Sequence, residues 1–353
     1  MTERISKTIT VSRFPLIFLI VMLHTIVLGQ SYPHGIEIPV GKYALLDVVQ
    51  FVSQREIGDL AVPAFFLVSG FLFFSGKKMD MEVWKGKLKK RVHSLLIPYL
   101  IWNTLFLLYY LFLSCFLDID WGLSDYNPSQ YVDLYLGFEK SPILAPLWFI
   151  RDLMVLNILS YPFFFIVRKL RWLAIPLLVV PFLFANVNAY MYPYIGIRSV
   201  VPYYLGAWFA IHEKEFVLNN KNRLIALNGL FVVLVICVST FHFSNISCRV
   251  LQQTEIVVGM FTLFSDFHFI YKYRDLKISK SLSESSFFVF VAHMFIMNLP
   301  NKLWVLVFPV NGVSASLMQW LIPMVVSMFL CCTYYVLKQI SPQMTYFLIG
   351  GRS

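Results

Sequence analysis

Charge is scarce in this sequence: only 14% of its 353 residues are charged, whereas 58% are hydrophobic. A chain with so little polar surface cannot cover water-soluble domains, which excludes a soluble enzyme, a disordered tail and a secreted disulfide scaffold. Apolar runs of about 20 residues recur along the chain, and that length crosses a hydrocarbon core of ~30 Å. The sequence therefore predicts an integral membrane protein.

Cysteine is also rare, and the five cysteines show no metal-binding or redox pattern. None forms a CxxC pair or has histidines at metal-ligand spacing, so buried reduced thiols are expected and no metal site is predicted. The sequence also lacks HxxxxD, HExxH, GxSxG, GxGxxG and P-loop motifs. These absences leave hydrolases of the soluble type, metalloproteases and nucleotide-driven motors without support.

Ten apolar segments are candidate membrane spans. They lie near residues 14–31, 57–76, 94–117, 143–167, 172–190, 196–212, 223–243, 248–271, 284–307 and 314–338. Residues 44–55 are amphipathic and too short to cross, so this segment is expected at the membrane interface. The predicted fold is an all-α polytopic bundle of about ten transmembrane helices, which forms one domain over residues 1–353.

Lys and Arg concentrate in alternate connections between these spans. Most of the 29 lie on the side of the N-terminal segment, including the connection over residues 77–91. This bias predicts that both termini are cytoplasmic, and it accounts for the net charge of +10 without nucleic acid. No cleavage site of small residues follows the first span, so we expect it to be retained.

Histidines inside predicted spans are the first candidates for function, because titratable groups at bilayer depth are costly. His24 follows Arg13 by eleven residues, which places the two on nearly one helix face, about 16 Å apart. A neutral imidazole can take a proton from a hydroxyl group and return it to a leaving group. His293 of the ninth span is predicted at a similar depth, which suggests a shared cavity. Histidines that only hydrogen-bond neighbouring helices are the alternative.

Two features lie around the cytoplasmic end of the second span. Ser69 and Gly70 are small residues that permit close helix approach, so packing is their structural interpretation. The cationic block that ends in Lys89, Lys90 and Arg91 suits anionic lipid headgroups or the phosphates of a soluble cofactor. Composition alone favours the lipid headgroups.

Arg151 and Asp152 lie a short way into the fourth span from its non-cytoplasmic side. Adjacent residues do not face one another on a helix, so we do not expect them to pair directly. Glu255 of the eighth span is a candidate partner for Arg151. A structural ion pair and a polar pocket for a sugar-like acceptor fit this pattern equally well.

Taken in order, these segments resemble the membrane acyltransferase family 3, whose bacterial members acylate sugars of surface polysaccharides. The resemblance rests on Ser12-Arg13 with His24, Pro63-Ala64-Phe65-Phe66 to Ser69-Gly70-Phe71, the basic block into Leu96-Ile97-Pro98-Tyr99, Leu147-Trp148-Phe149, and Ala292-His293. The family often shows Arg-x-x-Arg in the basic block, whereas this sequence has Arg91-Val92-His93-Ser94.

The resemblance implies transfer of an acyl group, usually acetyl, from cytoplasmic acyl-CoA to a hydroxyl group on the periplasmic side of a bacterial inner membrane. His24 would be the catalytic histidine. The implied donor-binding residues are Arg13, Ser69, Gly70, Lys89, Lys90 and Arg91. The candidates for the acceptor cavity are Arg151, Asp152, Glu255 and His293. The expected partners are acyl-CoA such as acetyl-CoA, a glycan or polyprenyl-linked sugar, and membrane lipids, without a metal or nucleic acid.

Two other functions fit parts of the pattern. A transporter or flippase for a lipid-linked sugar would also place polar residues inside a ten-helix bundle. The sequence shows no inverted halves and no matched broken helices, which disfavours this class. A membrane scaffold subunit, in which the buried histidines serve only packing, is the third possibility.

Overall fold

The computed structural model of the chain is largely helical. It describes residues 3–76, 79–117, 123, 125–139, 141–184, 196–240, 246–273 and 278–351. The helices are α1 (Glu3–His24), α2 (Ala44–Gln50), α3 (Ala61–Phe74), α4 (Met81–Arg91), α5 (Ile97–Leu117), α6 (Pro128–Leu136), α7 (Trp148–Leu170), α8 (Ala174–Leu183), α9 (Ile197–Ile211), α10 (Lys221–Thr240), α11 (Ile246–Tyr273), α12 (Ile278–Ile296), α13 (Asn298–Val307), α14 (Gly312–Ile340) and α15 (Pro342–Leu348). Strands β1 (Gln30–Tyr32) and β2 (Ile36–Ile38) form an antiparallel hairpin. Lys77, Lys78 and the ends of the predicted spans 172–190 and 223–243 lie outside the described residues.

Within that description, five helices are long and apolar enough to cross a membrane. They are Glu3–His24, Ala44–Phe74, Met81–Phe116, Lys221–Thr240 and Gly312–Ile340, and the bent pair Ser281–Ile296 and Asn298–Val307 would make a sixth. α14 exposes large apolar side chains such as Met328 and Phe329, which suits contact with lipid. The chain is therefore a helical membrane protein. The count of ten spans, the single domain and the cytoplasmic termini stay predictions.

The first helix differs from its predicted span at both ends. The prediction was residues 14–31, whereas α1 begins at Glu3 and ends at His24. The chain then turns at Gly29, whose φ of +73° is a conformation that favours glycine, and enters β1. His24 is thus the last residue of α1 rather than a residue in the middle of a helix.

The segment expected at the interface, residues 44–55, is instead the start of a longer helix. The backbone is helical from Ala44 to Phe74, with a π-helical turn over Phe51–Ile57 between α2 and α3. A π turn inserts an extra residue and shifts the apolar face, so one helix resembles two segments in the sequence. A second π turn, Val92–Leu96, joins α4 to α5 in the same way.

The chain folds into two compact units. The smaller unit comprises residues 7–62 and 270–345, and the remaining residues form the larger unit. In the smaller unit, α14 packs along both α12 and α2. An ion pair of 3.0 Å between Lys338 of α14 and Glu284 of α12 adds to the first of these contacts. The smaller unit therefore combines segments from the two ends of the sequence.

A bend of 57° separates α12 from α13 in the smaller unit. Pro300 has no N–H group, and its ring clashes with the carbonyl group four residues earlier, at Ile296, if the helix continues straight. The ninth predicted span, residues 284–307, is therefore broken one turn after His293.

Close backbone contact between α3 and α9 organises part of the larger unit. A Cβ atom on Gly70 would lie 1.9 Å from the carbonyl oxygen of Tyr203, and one on Gly206 would lie 2.0 Å from that of Leu67. No side chain fits at either position, so the two glycines let the helix backbones touch. This contact agrees with the packing interpretation of Gly70.

Candidate functional site

Two histidines from opposite ends of the sequence meet in the smaller unit. The ring centroids of His24 and His293 are 5.0 Å apart, and the ring planes are inclined at 60°. His293 is fully buried, whereas His24 is half-buried. The two histidines for which the sequence suggested a shared cavity are thus direct neighbours, and the roles predicted for them stay predictions.

Backbone contacts determine which nitrogen carries the proton in each neutral ring. Nδ1 of His24 lies 2.8 Å from the carbonyl oxygen of Ile20, and Nδ1 of His293 lies 2.7 Å from that of Phe290. A carbonyl oxygen only accepts hydrogen bonds, so Nδ1 must be the donor in both rings. Each Nε2 is then a lone-pair atom that can take a proton.

Two glutamines of the helix that follows the hairpin hold the segment after His24. Oε1 of Gln50 accepts hydrogen bonds from the N–H groups of Val27 at 3.0 Å and Leu28 at 2.9 Å. Nε2 of Gln54 donates to the carbonyl group of the residue after His24 at 2.8 Å. These contacts satisfy backbone groups that have no helical partner beyond the end of α1. They hold the segment that directly follows the last turn of α1.

Sequence reasoning missed Gln319, which is fully buried on α14. Its Nε2 donates to the carbonyl oxygen of Met22, two residues before His24, at 3.4 Å. That contact orients the amide, because the carbonyl group cannot donate. The signal that could have identified it was a glutamine inside an apolar helix. Polar side chains are costly at bilayer depth, and the same argument identified the histidines.

The other predicted site residues are distributed between the two units. Arg13 is exposed on α1 in the smaller unit. The larger unit contains Ser69, Gly70, Lys89, Lys90, Arg91, Arg151, Asp152 and Glu255. The binding roles predicted for all of these residues stay predictions.

The cationic block of α4 includes two side chains anchored on one aromatic ring. Lys89 and Lys90 are exposed, whereas Arg91 is half-buried with its guanidinium carbon 5.9 Å from the ring centroid of Phe73. Nζ of Lys87 lies 5.2 Å from the same centroid and donates to the carbonyl group of Phe73. Cations over aromatic faces are attracted by the ring quadrupole. Lys87, which the sequence analysis did not select, therefore belongs to this cluster.

Arg151 and Asp152 do pair, and the prediction that they would not is wrong. Nη2 of Arg151 lies 2.8 Å from Oδ1 of Asp152, and its Nε lies 3.1 Å from the same oxygen. The prediction considered Cβ directions alone, whereas the long arginine side chain curls around the helix to its neighbour. Oδ2 of the buried Asp152 accepts from Oγ of Ser199 at 2.7 Å, and Arg151 also donates to the carbonyl group of Gly137.

These contacts form a polar network that ties α7 to α9 in the larger unit. Below the ion pair on α7, Oδ1 of Asn157 accepts from the hydroxyl group of Tyr203 at 2.7 Å. Both residues are buried, and the sequence analysis named neither. The network agrees with a structural ion pair at Arg151 and Asp152. The proposed partnership of Arg151 with Glu255, which is also buried, stays a prediction.

No cluster of three or more His, Cys, Asp or Glu residues that could hold a metal ion occurs in the described ranges.

Comparisons with known proteins identify a matching family and a similar protein. Residues 7–336 match a family model described as an acyltransferase domain. A segment of 163 residues is 29% identical to the succinoglycan biosynthesis protein ExoH of Rhizobium meliloti (strain 1021) and covers 45% of this chain and 42% of that protein. The match thus spans less than half the length of the relative. No solved structure shows a significant match.

Proposed function

Because this chain belongs to acyltransferase family 3, to which the match over residues 7–336 assigns it, we propose that it moves an acyl group from acyl-CoA to a hydroxyl group. The acceptor is a cell-surface glycan or its polyprenyl-linked precursor. Acetyl is the acyl group that we expect. The name of the relative, a succinoglycan biosynthesis protein, supports a polysaccharide acceptor.

The lone pair on Nε2 of His24 carries this proposal. His24 is half-buried, and its Nδ1–H is held by Ile20, so Nε2 is oriented away from its own backbone and has the properties of a general base. The hydroxyl proton of the acceptor moves to Nε2 while its oxygen attacks the thioester carbonyl carbon. The C–S bond then breaks, and the CoA thiolate takes the proton from the imidazolium. Transfer by way of an acyl-enzyme is the alternative order of steps.

We assign the donor side to the cationic cluster of α4, formed by Lys87, Lys89, Lys90 and Arg91. CoA carries several phosphate charges, and a cationic surface at the cytoplasmic face attracts them. The anchoring of Lys87 and Arg91 on Phe73 supports this assignment, because held cations lose little side-chain entropy on binding. Donor binding is also the role that we propose for Ser69 and Gly70 of the larger unit and for Arg13 of the smaller unit.

We place the protein in the bacterial inner membrane, with both termini cytoplasmic and acyl-CoA on that side. The bias of Lys and Arg toward one set of connections supports this orientation. Membership in an acyltransferase family favours an enzyme over a lipid-linked-sugar transporter and over a scaffold subunit.

The test is an acyl-transfer assay with purified protein in detergent. Radiolabelled acetyl-CoA is the donor, and the acceptor is surface polysaccharide of the host stripped of its esters with mild alkali. His24→Ala should lower labelling of the polysaccharide at least about 100-fold, because a general base contributes that much or more. His34→Asn is the matched control, since His34 is exposed in the hairpin turn and Asn tolerates its φ of 60°. Full activity of His24→Ala would refute the assignment, and an inactive wild-type protein would refute the proposed function.

A further inference from the structure

The second imidazole of the pair has a buried acceptor atom that its surroundings do not satisfy. Nε2 of His293 is buried, and no group in the described part of the chain donates a hydrogen bond to it. A buried acceptor without a donor costs about 1–3 kcal/mol, and such atoms in native proteins call for an explanation. The atom belongs to a ring whose centroid is 5.0 Å from that of His24.

The resting state offers His293 no hydrogen bond from its neighbour. Each ring gives its Nδ1 proton to a carbonyl group of its own helix, so both Nε2 atoms are acceptors while the rings are neutral. Two Nε2 atoms that are both acceptors cannot form a hydrogen bond with each other. The interaction between the rings therefore changes only when one of them gains a proton.

His24 is the ring that gains the proton. It is half-buried and can reach a substrate, whereas His293 is fully buried. Two positive rings at this separation would repel each other, so His293 stays neutral while His24 is an imidazolium. A neutral ring with a buried lone pair that accepts no hydrogen bond attracts that cation in a medium of low dielectric constant.

We propose that His293 is a positioning residue, which stabilises the imidazolium of His24 through the lone pair on Nε2. This inference rests on the proposed role of His24 as the base. The attraction is absent while both rings are neutral and appears as the hydroxyl proton arrives, so it lowers the barrier more than it strengthens substrate binding. His293 itself gains and loses no proton: the proton passes from the acceptor hydroxyl to His24 and then to the CoA thiolate.

The experiment compares two replacements of His293 in the same transfer assay. His293→Leu removes the acceptor atom, and we expect kcat to fall about 100-fold, the size typical of one preorganised polar group. The KM values for acetyl-CoA and for the stripped polysaccharide should change less than about twofold, because ground-state binding does not use the lone pair. His293→Gln retains a buried acceptor oxygen and should keep kcat within about fivefold of the wild-type value.

Ser286→Ala is the matched control on the same helix, because Oγ of the buried Ser286 donates to the carbonyl group of Leu282 within α12. It should leave kcat unchanged. A kcat of His293→Leu equal to that of the wild type would overturn the inference, and so would a His293→Gln variant as slow as His293→Leu. If His293→Leu does not fold, a slow but folded His293→Gln variant overturns the inference, and a fast one supports it.

A double-mutant cycle separates this inference from the proposed function. In the His24→Ala background, His293→Leu should have no further effect on the residual rate, since no imidazolium forms there. An added loss in that background would contradict the inference. Full activity of His24→Ala itself would instead remove the proposed base, whatever the behaviour of His293.

Discussion

Single hydrogen bonds set the chemistry of the individual side chains in this protein. Each histidine of the pair is oriented by a carbonyl group three or four residues earlier in its own helix, Phe290 for His293 and Ile20 for His24. The amide of Gln319 is oriented in the same manner by the carbonyl group of Met22. In all three cases a backbone carbonyl group accepts a hydrogen bond from the side-chain N–H group, and the acceptor atom of the side chain stays available for another partner.

The ion pair of the larger unit allows a prediction for a single carboxylate. Asp152→Ala should destabilise the protein by about 3 kcal/mol, because it removes the buried anion that Arg151 and Ser199 both contact. Ser199→Ala removes one hydrogen bond and should cost only about 1 kcal/mol. Thermal unfolding in detergent measures both. Equal effects of the two substitutions would show that the negative charge of Asp152 does not contribute to the stability of the protein.

The sequence analysis identified these individual residues from their chemical type, but it did not predict the contacts that they make. His24 and His293 stood out as titratable groups in apolar helices, and the structure brings them together. The pairing of Arg151 with Asp152 escaped it, since a side-chain conformation and not helix geometry decides that contact. Which nitrogen of each histidine carries a proton also depends on the side-chain conformation in the folded protein, so it cannot be predicted from the composition of the sequence.

Helices approach each other closely in the larger unit where glycine removes a side chain from the contact. Gly70→Ala and Gly206→Ala should each destabilise the protein by at least about 3 kcal/mol, because the added methyl group would overlap a carbonyl oxygen of the facing helix. Gly229→Ala on α10 is the control, since nothing lies within 4 Å of its added Cβ. That change should be neutral or stabilise by up to about 1 kcal/mol through helix propensity.

Thermal unfolding of the four proteins in one detergent measures this contrast. A Gly70→Ala variant as stable as Gly229→Ala would mean that α3 and α9 do not touch in solution. The same variant with normal stability and a raised KM for acetyl-CoA would instead support the donor role predicted for Gly70.

The sequence predicted where helices occur better than where they begin, end and bend. Predicted spans 196–212 and 314–338 agree closely with α9 and α14. Two long helices were only partly recognised, because π turns at Phe51–Ile57 and Val92–Leu96 interrupt the 3.6-residue periodicity on which the prediction relies. The bend after His293 was foreseeable from Pro300, whose effect on the preceding turn is steric and local.

Orientation is a property of the whole molecule, and labelling from each side of the membrane measures it. In a background without native cysteines, the Ser129→Cys variant should react with a membrane-impermeant maleimide in intact spheroplasts. The Lys221→Cys variant should react only after lysis, because the basic connections are predicted on the cytoplasmic side. Both side chains are exposed. Labelling of Lys221→Cys from outside would reverse the proposed orientation.

The family was predictable from the order of short segments along the chain, and the match over residues 7–336 confirms that resemblance. The acceptor was not predictable in the same way. A sugar is selected by the shape and hydrogen bonds of a folded surface, to which residues far apart in the sequence contribute.

The smaller unit combines residues 7–62 with residues 270–345. Its histidine pair can therefore form only when synthesis of the protein is nearly complete. α1 leaves the ribosome early in translation, whereas α12 leaves it only near the end. An unfinished chain therefore carries His24 without its companion ring and, under the proposed role of His293, lacks part of the machinery for acyl transfer. Premature termination should then yield fragments that are inactive in acyl transfer.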